Sequence, residues 1–287
     1  MRAYEDWVRE AETKGLKISE VVVQDQMEEL ELAEQMLFQR MRKNLKVMRE
    51  SVAAGLNSES RSLSGLVGGD AAKVEGRRKN GESLVGELMS GVIARALAVA
   101  ELNACMGKIV AAPTAGSCGI LPAVLLTVEE ARQVAEHDLL HALFTAAGLG
   151  MIIAERANVS GAEGGCQAEI GSAAAMAAAA AVELAGGTPR QTADAAAIAM
   201  KSMLGLVCDP VAGFVEVPCV KRNATGASIA LVAAEMALSG VTSVIPIDEV
   251  IDAMGEIGKQ MPCALKETAQ GGLAMTPTGR RIQADFL

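Results

Sequence analysis

Apolar residues recur at helical spacing along most of the chain, and short segments rich in Gly and Pro separate the periodic stretches. Near the N-terminus this spacing predicts one amphipathic helix over residues 20–54. Downstream it predicts seven more helices, over residues 84–102, 120–135, 138–154, 172–184, 189–205, 224–238 and 247–259. Pro189 and Asp248 mark two of the helix starts, because proline and acidic residues are favoured in a first helical turn.

Extended structure is weakly indicated. Residues 108–111 and 241–245 are the two candidates for short extended pieces, and neither is long enough to build a sheet. Residues 58–83 are polar and Gly-rich, which predicts a loop. The pattern therefore predicts an all-α, multi-helix fold in which Gly/Pro-rich loops between helices form the functional site. We divide it into an N-terminal helical region (1–57), a Gly-rich loop (58–83) and a helical domain (84–287).

Composition agrees with closely packed helices. The 287 residues are 51% hydrophobic but only 2% aromatic, so small and flexible side chains must fill the core. The Ala-rich stretch 171–187 is too weakly hydrophobic for a membrane span and predicts a buried helix. A net charge of −9 without a basic stripe argues against nucleic acid as a partner. Without a signal peptide pattern at the N-terminus, we expect a cytoplasmic protein and no membrane partner.

The six cysteines are expected to be reduced thiols in such a compartment, which favours metal binding or catalysis over disulfides. Three inter-helix loops each combine Gly, polar residues and at least one Cys, and the first and third of them also contain Pro. They are Ala112–Pro122, Ser160–Gly171 and Leu206–Thr225.

In the first loop, Thr114, Ala115, Gly116 and Ser117 precede an apolar helix. Small residues allow several backbone amides to face one point near a helix N-terminus, where a carboxylate or phosphate binds. These four residues are our candidates for substrate binding. An ordinary helix-capping turn explains the same pattern equally well.

The second loop carries Cys166, which follows a Gly pair. The third carries Cys208, two residues before Pro210, and Cys219, directly after Pro218. The prolines stiffen the backbone, as suits ligands held in a fixed geometry. The spacing matches neither common zinc nor ferredoxin patterns, so unrelated core cysteines remain an alternative. Glu163 and Glu169 flank Cys166; either is a candidate base, although surface glutamates near a helix start are the more common case.

Several long motifs together resemble the alpha subunit of bacterial iron–sulfur L-serine dehydratase. They are SGLVGGDAAK (64–73), APTAGSCGILPAVL (112–125), SGAEGGCQAEIG (160–171), CDPVAGFVEVPCVKRNA (208–224) and KETAQGGLA (266–274). The resemblance implies that Cys166, Cys208 and Cys219 ligate a [4Fe–4S] cluster whose fourth iron lacks a protein thiolate. It also implies that the chain deaminates L-serine to pyruvate and ammonia.

The resemblance further implies a partner, the beta subunit, which is a separate chain bearing a regulatory domain. In single-chain members of the family a terminal Cys can occupy the open iron, whereas this sequence ends in RRIQADFL. We do not transfer that role to Cys263. The general base is not identified by the sequence, because His137 and His141 lie outside the shared motifs.

Two other functions stay open on the residues alone. A pyridoxal-phosphate lyase would need a Schiff-base lysine, for which Lys108, Lys201 and Lys221 are available without a recognisable motif. An electron-transfer or scaffold subunit would need a fourth thiolate, from Cys118 or Cys263.

Overall fold

A computed structural model describes residues 2–286, and within that range it contains thirteen α-helices and no strand. The prediction of an all-α fold is confirmed. The helices are α1 (Tyr4–Lys14), α2 (Ile18–Leu30), α3 (Glu34–Leu56), α4 (Asp70–Lys79), α5 (Gly86–Ala104), α6 (Ile120–Arg132), α7 (Glu136–Arg156), α8 (Gly161–Gly164), α9 (Ser172–Leu184), α10 (Pro189–Lys201), α11 (Cys219–Leu238), α12 (Ile247–Gln260) and α13 (Pro277–Phe286).

Helix α9 lies at the centre of the fold, with the bounds that the sequence predicts. It packs against α6, α7, α10 and α11, and every residue from Ser172 to Glu183 is buried. Alanine combines high helix propensity with a small side chain, which lets the four neighbouring helices approach closely. Helix α7 is long and apolar enough to cross a membrane by length and composition, but most of it is buried in this core.

The predicted N-terminal helix over residues 20–54 is wrong as a single element. Helix α2 ends at Leu30, and α3 starts at Glu34. Glu31 adopts a left-handed φ of 51° and donates its amide to the Met27 carbonyl, which closes the end of α2. No glycine marks this stop, so the apolar spacing alone continues across it.

The segment 58–83, predicted as a loop, contains helix α4. Its first amides, from Asp70 and Ala71, donate to the buried Glu101 carboxylate of α5 at 2.8 and 3.2 Å. A carboxylate at a helix N-terminus offsets the partial positive charge and the unpaired N–H groups there. This cap lies about thirty residues away along the chain, so the local pattern does not reveal it.

The two predicted extended pieces, 108–111 and 241–245, lie outside any strand; the β-type pairing in the described range is an isolated parallel bridge between Cys208 and Lys266. Helices α1, α8 and α13 were not predicted. The division into three regions stays a prediction. The loops before α9 and before α11 meet because these two helices pack against each other.

Candidate metal centre

Three buried thiols from distant loops come together at this meeting point. Cys166 immediately precedes a π-helical turn (Gln167–Gly171) that leads into α9, and Cys219 is the first residue of α11. The thiols of Cys208 and Cys219 lie close enough to Cys166 to lower the pKa of its thiol. A π-helical turn is uncommon and is frequent at functional sites, where it redirects a side chain. The structure thus brings together the three cysteines that the sequence singles out.

The Cys208 backbone is held by the late segment 265–267. Its amide donates to the Leu265 carbonyl at 2.8 Å, and its carbonyl accepts from the Glu267 amide at 2.8 Å. These two bonds attach the KETAQGGLA motif to the loop that carries Cys208. Both backbone groups of this buried residue are therefore satisfied.

Gln167 fastens the Cys166 loop to its neighbours. The fully buried side chain donates to the carbonyls of Gly164 (2.9 Å) and Met254 (3.1 Å) and accepts from the Gly205 amide (2.8 Å). Its own amide donates to the Leu206 carbonyl at 3.0 Å. One side chain therefore connects the Cys166 segment to the residues that directly precede Cys208.

Glu169 lies beside the thiols. One of its carboxylate oxygens and the sulfur atoms of Cys166 and Cys208 lie within 4.8 Å of one another. Burial, and then the negative charge of Cys166, raise the pKa of this carboxyl to about 7, against a hydrogen bond from Thr114 at 2.8 Å that lowers it. The expectation that both glutamates lie at the surface is therefore wrong for Glu169. It holds for Glu163, which is exposed and accepts a hydrogen bond from Asn158.

The three thiols influence one another's ionisation. The neighbouring Cys208 and Cys219 thiols, together with the nearby Arg222 cation, lower the pKa of Cys166 to about 3. The proximity of Cys166 and their own burial raise the pKa values of Cys208 and Cys219 well above the usual range. A metal cation would favour the thiolate form of all three, because ligation requires deprotonated sulfur.

Two glycines allow these groups to lie so close together. A Cβ on Gly161 would lie 2.8 Å from Glu169 Oε2 and 3.1 Å from Cys208 Sγ. A Cβ on Gly116 would lie 2.9 Å from Glu169 Oε1. The space around the carboxylate therefore requires residues without a side chain at both positions.

The four residues predicted to bind substrate form the wall next to Glu169. Thr114 directs its hydroxyl at that carboxylate, and Ala115–Ser117 form a single 3₁₀ turn. Asn223 of α11 fastens the turn, because its side chain donates to the Gly116 carbonyl at 2.8 Å and accepts from the Gly119 amide at 2.9 Å. Their role in substrate binding stays a prediction.

The other polar candidates have different surroundings. Cys118 is buried with its sulfur 3.9 Å from the Val99 carbonyl, and burial raises its pKa to about 12. Cys105 is half-buried and Cys263 is exposed. The Nδ1 atom of His141 lies 3.0 Å from the Ser19 hydroxyl, at the contact of α7 with α2.

Arg222 and Asp209 were not singled out from the sequence, although both lie inside the motif CDPVAGFVEVPCVKRNA. Arg222 donates to Cys166 Sγ at 3.3 Å and to Asp209 Oδ1 at 2.9 Å. Their positions in the sequence could have indicated them, because Asp209 follows Cys208 directly and Arg222 lies one helical turn after Cys219. Residues three apart lie on neighbouring faces of a helix, which places Arg222 at the thiols.

Comparison with known proteins adds an independent finding. The sequence profile of the family described as "Serine dehydratase alpha chain" matches residues 13–274. The chain is 54% identical over 270 residues to the "Probable L-serine dehydratase, alpha chain" of Bacillus subtilis, covering 94% of this chain and 90% of that protein. It is 43% identical over 274 residues to the "L-serine dehydratase, alpha chain" of Peptoniphilus asaccharolyticus, covering 96% and 94%.

A third relative is longer. The "L-serine dehydratase" of Mycobacterium bovis is 50% identical over 185 residues, which cover 63% of this chain and 40% of that protein. Residues 13–274, which the family profile matches, include all three loops that build the thiol site. This chain therefore belongs to the serine dehydratase alpha chain family.

Proposed function

We propose that this chain is the catalytic alpha chain of an L-serine dehydratase, an L-serine ammonia-lyase that forms pyruvate and ammonia. The observation that carries the proposal is the convergence of the three buried thiols with the half-buried Glu169 carboxylate at one site. The names of the alpha-chain relatives, which match nearly the whole chain, supply the substrate.

We further propose that Cys166, Cys208 and Cys219 hold a [4Fe–4S] cluster. Thiolates are the protein ligands that iron–sulfur clusters prefer, and the site offers three of them together with a cation that offsets their charge. When bound, a cluster with three protein thiolates has one iron free to act as a Lewis acid on the β-hydroxyl of serine. This supports a dehydratase rather than an electron carrier.

The protein groups around the thiols would handle the proton. Dehydration removes the Cα proton and the β-hydroxyl of L-serine, and the resulting aminoacrylate hydrolyses to pyruvate and ammonia. In this proposal the Glu169 carboxylate accepts the Cα proton, because one of its oxygens lies within 4.8 Å of the Cys166 and Cys208 sulfur atoms. Thr114 orients it through the 2.8 Å hydrogen bond.

The predicted substrate-binding turn completes the proposed pocket. Within the turn formed by Thr114, Ala115, Gly116 and Ser117, Thr114 and Gly116 adjoin the Glu169 carboxylate. The Ser117 hydroxyl and the backbone amides of the turn are donors suited to the carboxylate of an amino acid. Substrate held there would have its carboxylate at the turn and its reacting carbons between Glu169 and the thiols.

We also propose a separate beta chain as partner. The two alpha-chain relatives have nearly the extent of this chain, whereas the Mycobacterium bovis protein has more than half its length outside the match. A separate beta chain would correspond to the part of the Mycobacterium bovis protein that lies outside the match. The proposed compartment is the cytoplasm, where cysteines stay reduced.

Neither alternative function gains support from the geometry. Of the candidate Schiff-base lysines, Lys201 donates to the Ser243 carbonyl at 2.6 Å, Lys221 pairs with Asp70 at 2.7 Å, and Lys108 is exposed. Cys118 directs its sulfur at the Val99 carbonyl and Cys263 is exposed, so the geometry does not support either as a fourth thiolate.

The test is iron, sulfide and pyruvate assayed on anaerobically purified protein, alone and with its beta chain. We expect Cys166→Ala, Cys208→Ala and Cys219→Ala each to abolish cluster retention, and Cys105→Ala, the matched control, to keep it. Full iron content in any of the first three variants contradicts the ligand assignment. A wild-type pair that holds a cluster but makes no pyruvate from L-serine contradicts the proposed reaction.

A further inference from the structure

One side chain contacts both cysteine loops and belongs to the helix of the third cysteine. Arg222 lies one turn after Cys219 in α11. Its Nη1 donates to Cys166 Sγ at 3.3 Å and to the Val207 carbonyl, next to Cys208, at 2.8 Å. A single guanidinium therefore ties together the three segments that carry the thiols.

Asp209 fixes the direction of this guanidinium. The carboxylate is 3% exposed, and its Oδ1 accepts from Arg222 Nη2 at 2.9 Å. Its Oδ2 accepts from the Leu273 amide at 2.8 Å. Gly272 has a positive φ of 57°, and a Cβ there would lie 2.7 Å from Asp209 Cβ. The late GGLA segment thus packs directly on the carboxylate and holds it in place.

Three of the five N–H donors of Arg222 already serve the Cys166 sulfur, the Val207 carbonyl and the Asp209 carboxylate. The planar fork of arginine makes these bonds possible, and a lysine ammonium on a flexible stem does not reproduce them. This half-buried arginine therefore acts on the thiol site. Its positive charge and N–H groups act on the sulfur of Cys166.

A cation that donates to a ligating sulfur withdraws electron density from the metal centre. Reduction of an iron–sulfur cluster adds negative charge, so a nearby cation favours the reduced state and a nearby anion disfavours it. Arg222 and Asp209 therefore act in opposite directions, although they form one ion pair. Removing the charge of Arg222 and removing that of Asp209 should therefore shift the reduction potential in opposite directions. A purely structural role of the ion pair does not predict opposite shifts.

We propose that Arg222, oriented by Asp209, is a positioning residue that holds the three cysteine segments in register and sets the reduction potential of the cluster bound there. The proposal rests on the proposed iron–sulfur function. It concerns this chain's own ion pair and requires no contact between Arg222 and L-serine.

The test compares Arg222→Gln, Arg222→Lys and Asp209→Asn in the anaerobically reconstituted alpha–beta enzyme. Measurements are iron per chain, melting temperature of the apo-protein, and midpoint potential from a dye-mediated titration followed by electron paramagnetic resonance. Arg40→Gln is the matched control, because it removes one positive charge from the exposed face of α3. It should leave all three measurements unchanged.

We expect Arg222→Gln to make the midpoint potential more negative and Asp209→Asn to make it more positive. Arg222→Lys keeps the charge, so its potential should lie nearer the wild-type value, while a chelator removes its iron faster because the fork is lost. A variant that holds less iron at an unchanged melting temperature also supports the ordering role.

Potentials that shift in the same direction, or stay unchanged at full iron content, overturn the proposal. Iron loss accompanied by an equal loss of melting temperature in all three variants also overturns it, since the pair would then only stabilise the fold. Failure of the proposed function is recognised separately. In that case the wild-type enzyme itself holds no cluster or forms no pyruvate.

Discussion

The hydrogen bond from Thr114 to Glu169 offers a direct test of the proposed base. Thr114→Val has almost the same shape and removes only the hydroxyl that donates to the carboxylate at 2.8 Å. That bond lowers the pKa of Glu169, which burial raises to about 7. Without the donor, the charged form loses stabilisation and the pKa rises further.

The size of the shift follows from the strength of such bonds. A hydrogen bond to a charged group contributes about 1.5–3 kcal/mol. Because one pKa unit corresponds to about 1.4 kcal/mol, the pKa of Glu169 should rise by roughly one to two units. A base must be deprotonated to act, so the acidic limb of the pH profile should move upward by that amount. Activity near neutral pH should fall by roughly tenfold or more and recover at higher pH.

The assay is the anaerobic pH dependence of kcat/KM for pyruvate formation from L-serine, with iron content measured on the same samples. Thr114→Ser keeps the hydroxyl and serves as the control, with a profile close to wild type. A Thr114→Val enzyme with full iron content and an unshifted acidic limb would refute Glu169 as the proton acceptor.

Two further predictions concern stability and need no cluster. Gly226→Ala places a Cβ 2.7 Å from Ile120 Cδ1 at a helix crossing and should destabilise the protein by about 1–3 kcal/mol. Gly76→Ala in α4 meets open space and should stabilise the protein by up to about 1 kcal/mol. Equal melting temperatures for the two variants would contradict the packing argument. Burial raises the pKa of Glu183, which accepts from Thr145 at 2.7 Å. Because the folded protein holds the Glu183 proton more tightly than the unfolded chain, the wild type should lose stability relative to Glu183→Gln as pH rises above about 4.5 and through the higher folded-state pKa. Parallel curves of unfolding free energy against pH for the two proteins would contradict this.

Much of the helical framework follows from the sequence by itself. Helix α9 has the predicted bounds because its alanines favour helix and glycines flank it on both sides. Helices α6, α7, α10 and α12 likewise lie where apolar spacing and Gly/Pro signals place them. The three cysteine-bearing loops are recognisable for the same reason, since glycine and proline interrupt that spacing.

Other features depend on contacts between residues that are far apart in the sequence, and only the tertiary structure shows them. The break between α2 and α3 carries no local signal, and α4 depends on a cap from Glu101 in another helix. The sequence also does not show that Glu169 lies beside the thiols, or that Arg222 reaches Cys166, because both follow from how α9 and α11 pack. Cysteine spacing alone left the metal site undecided, since burial, charge and contact between remote loops are properties of the packed helices.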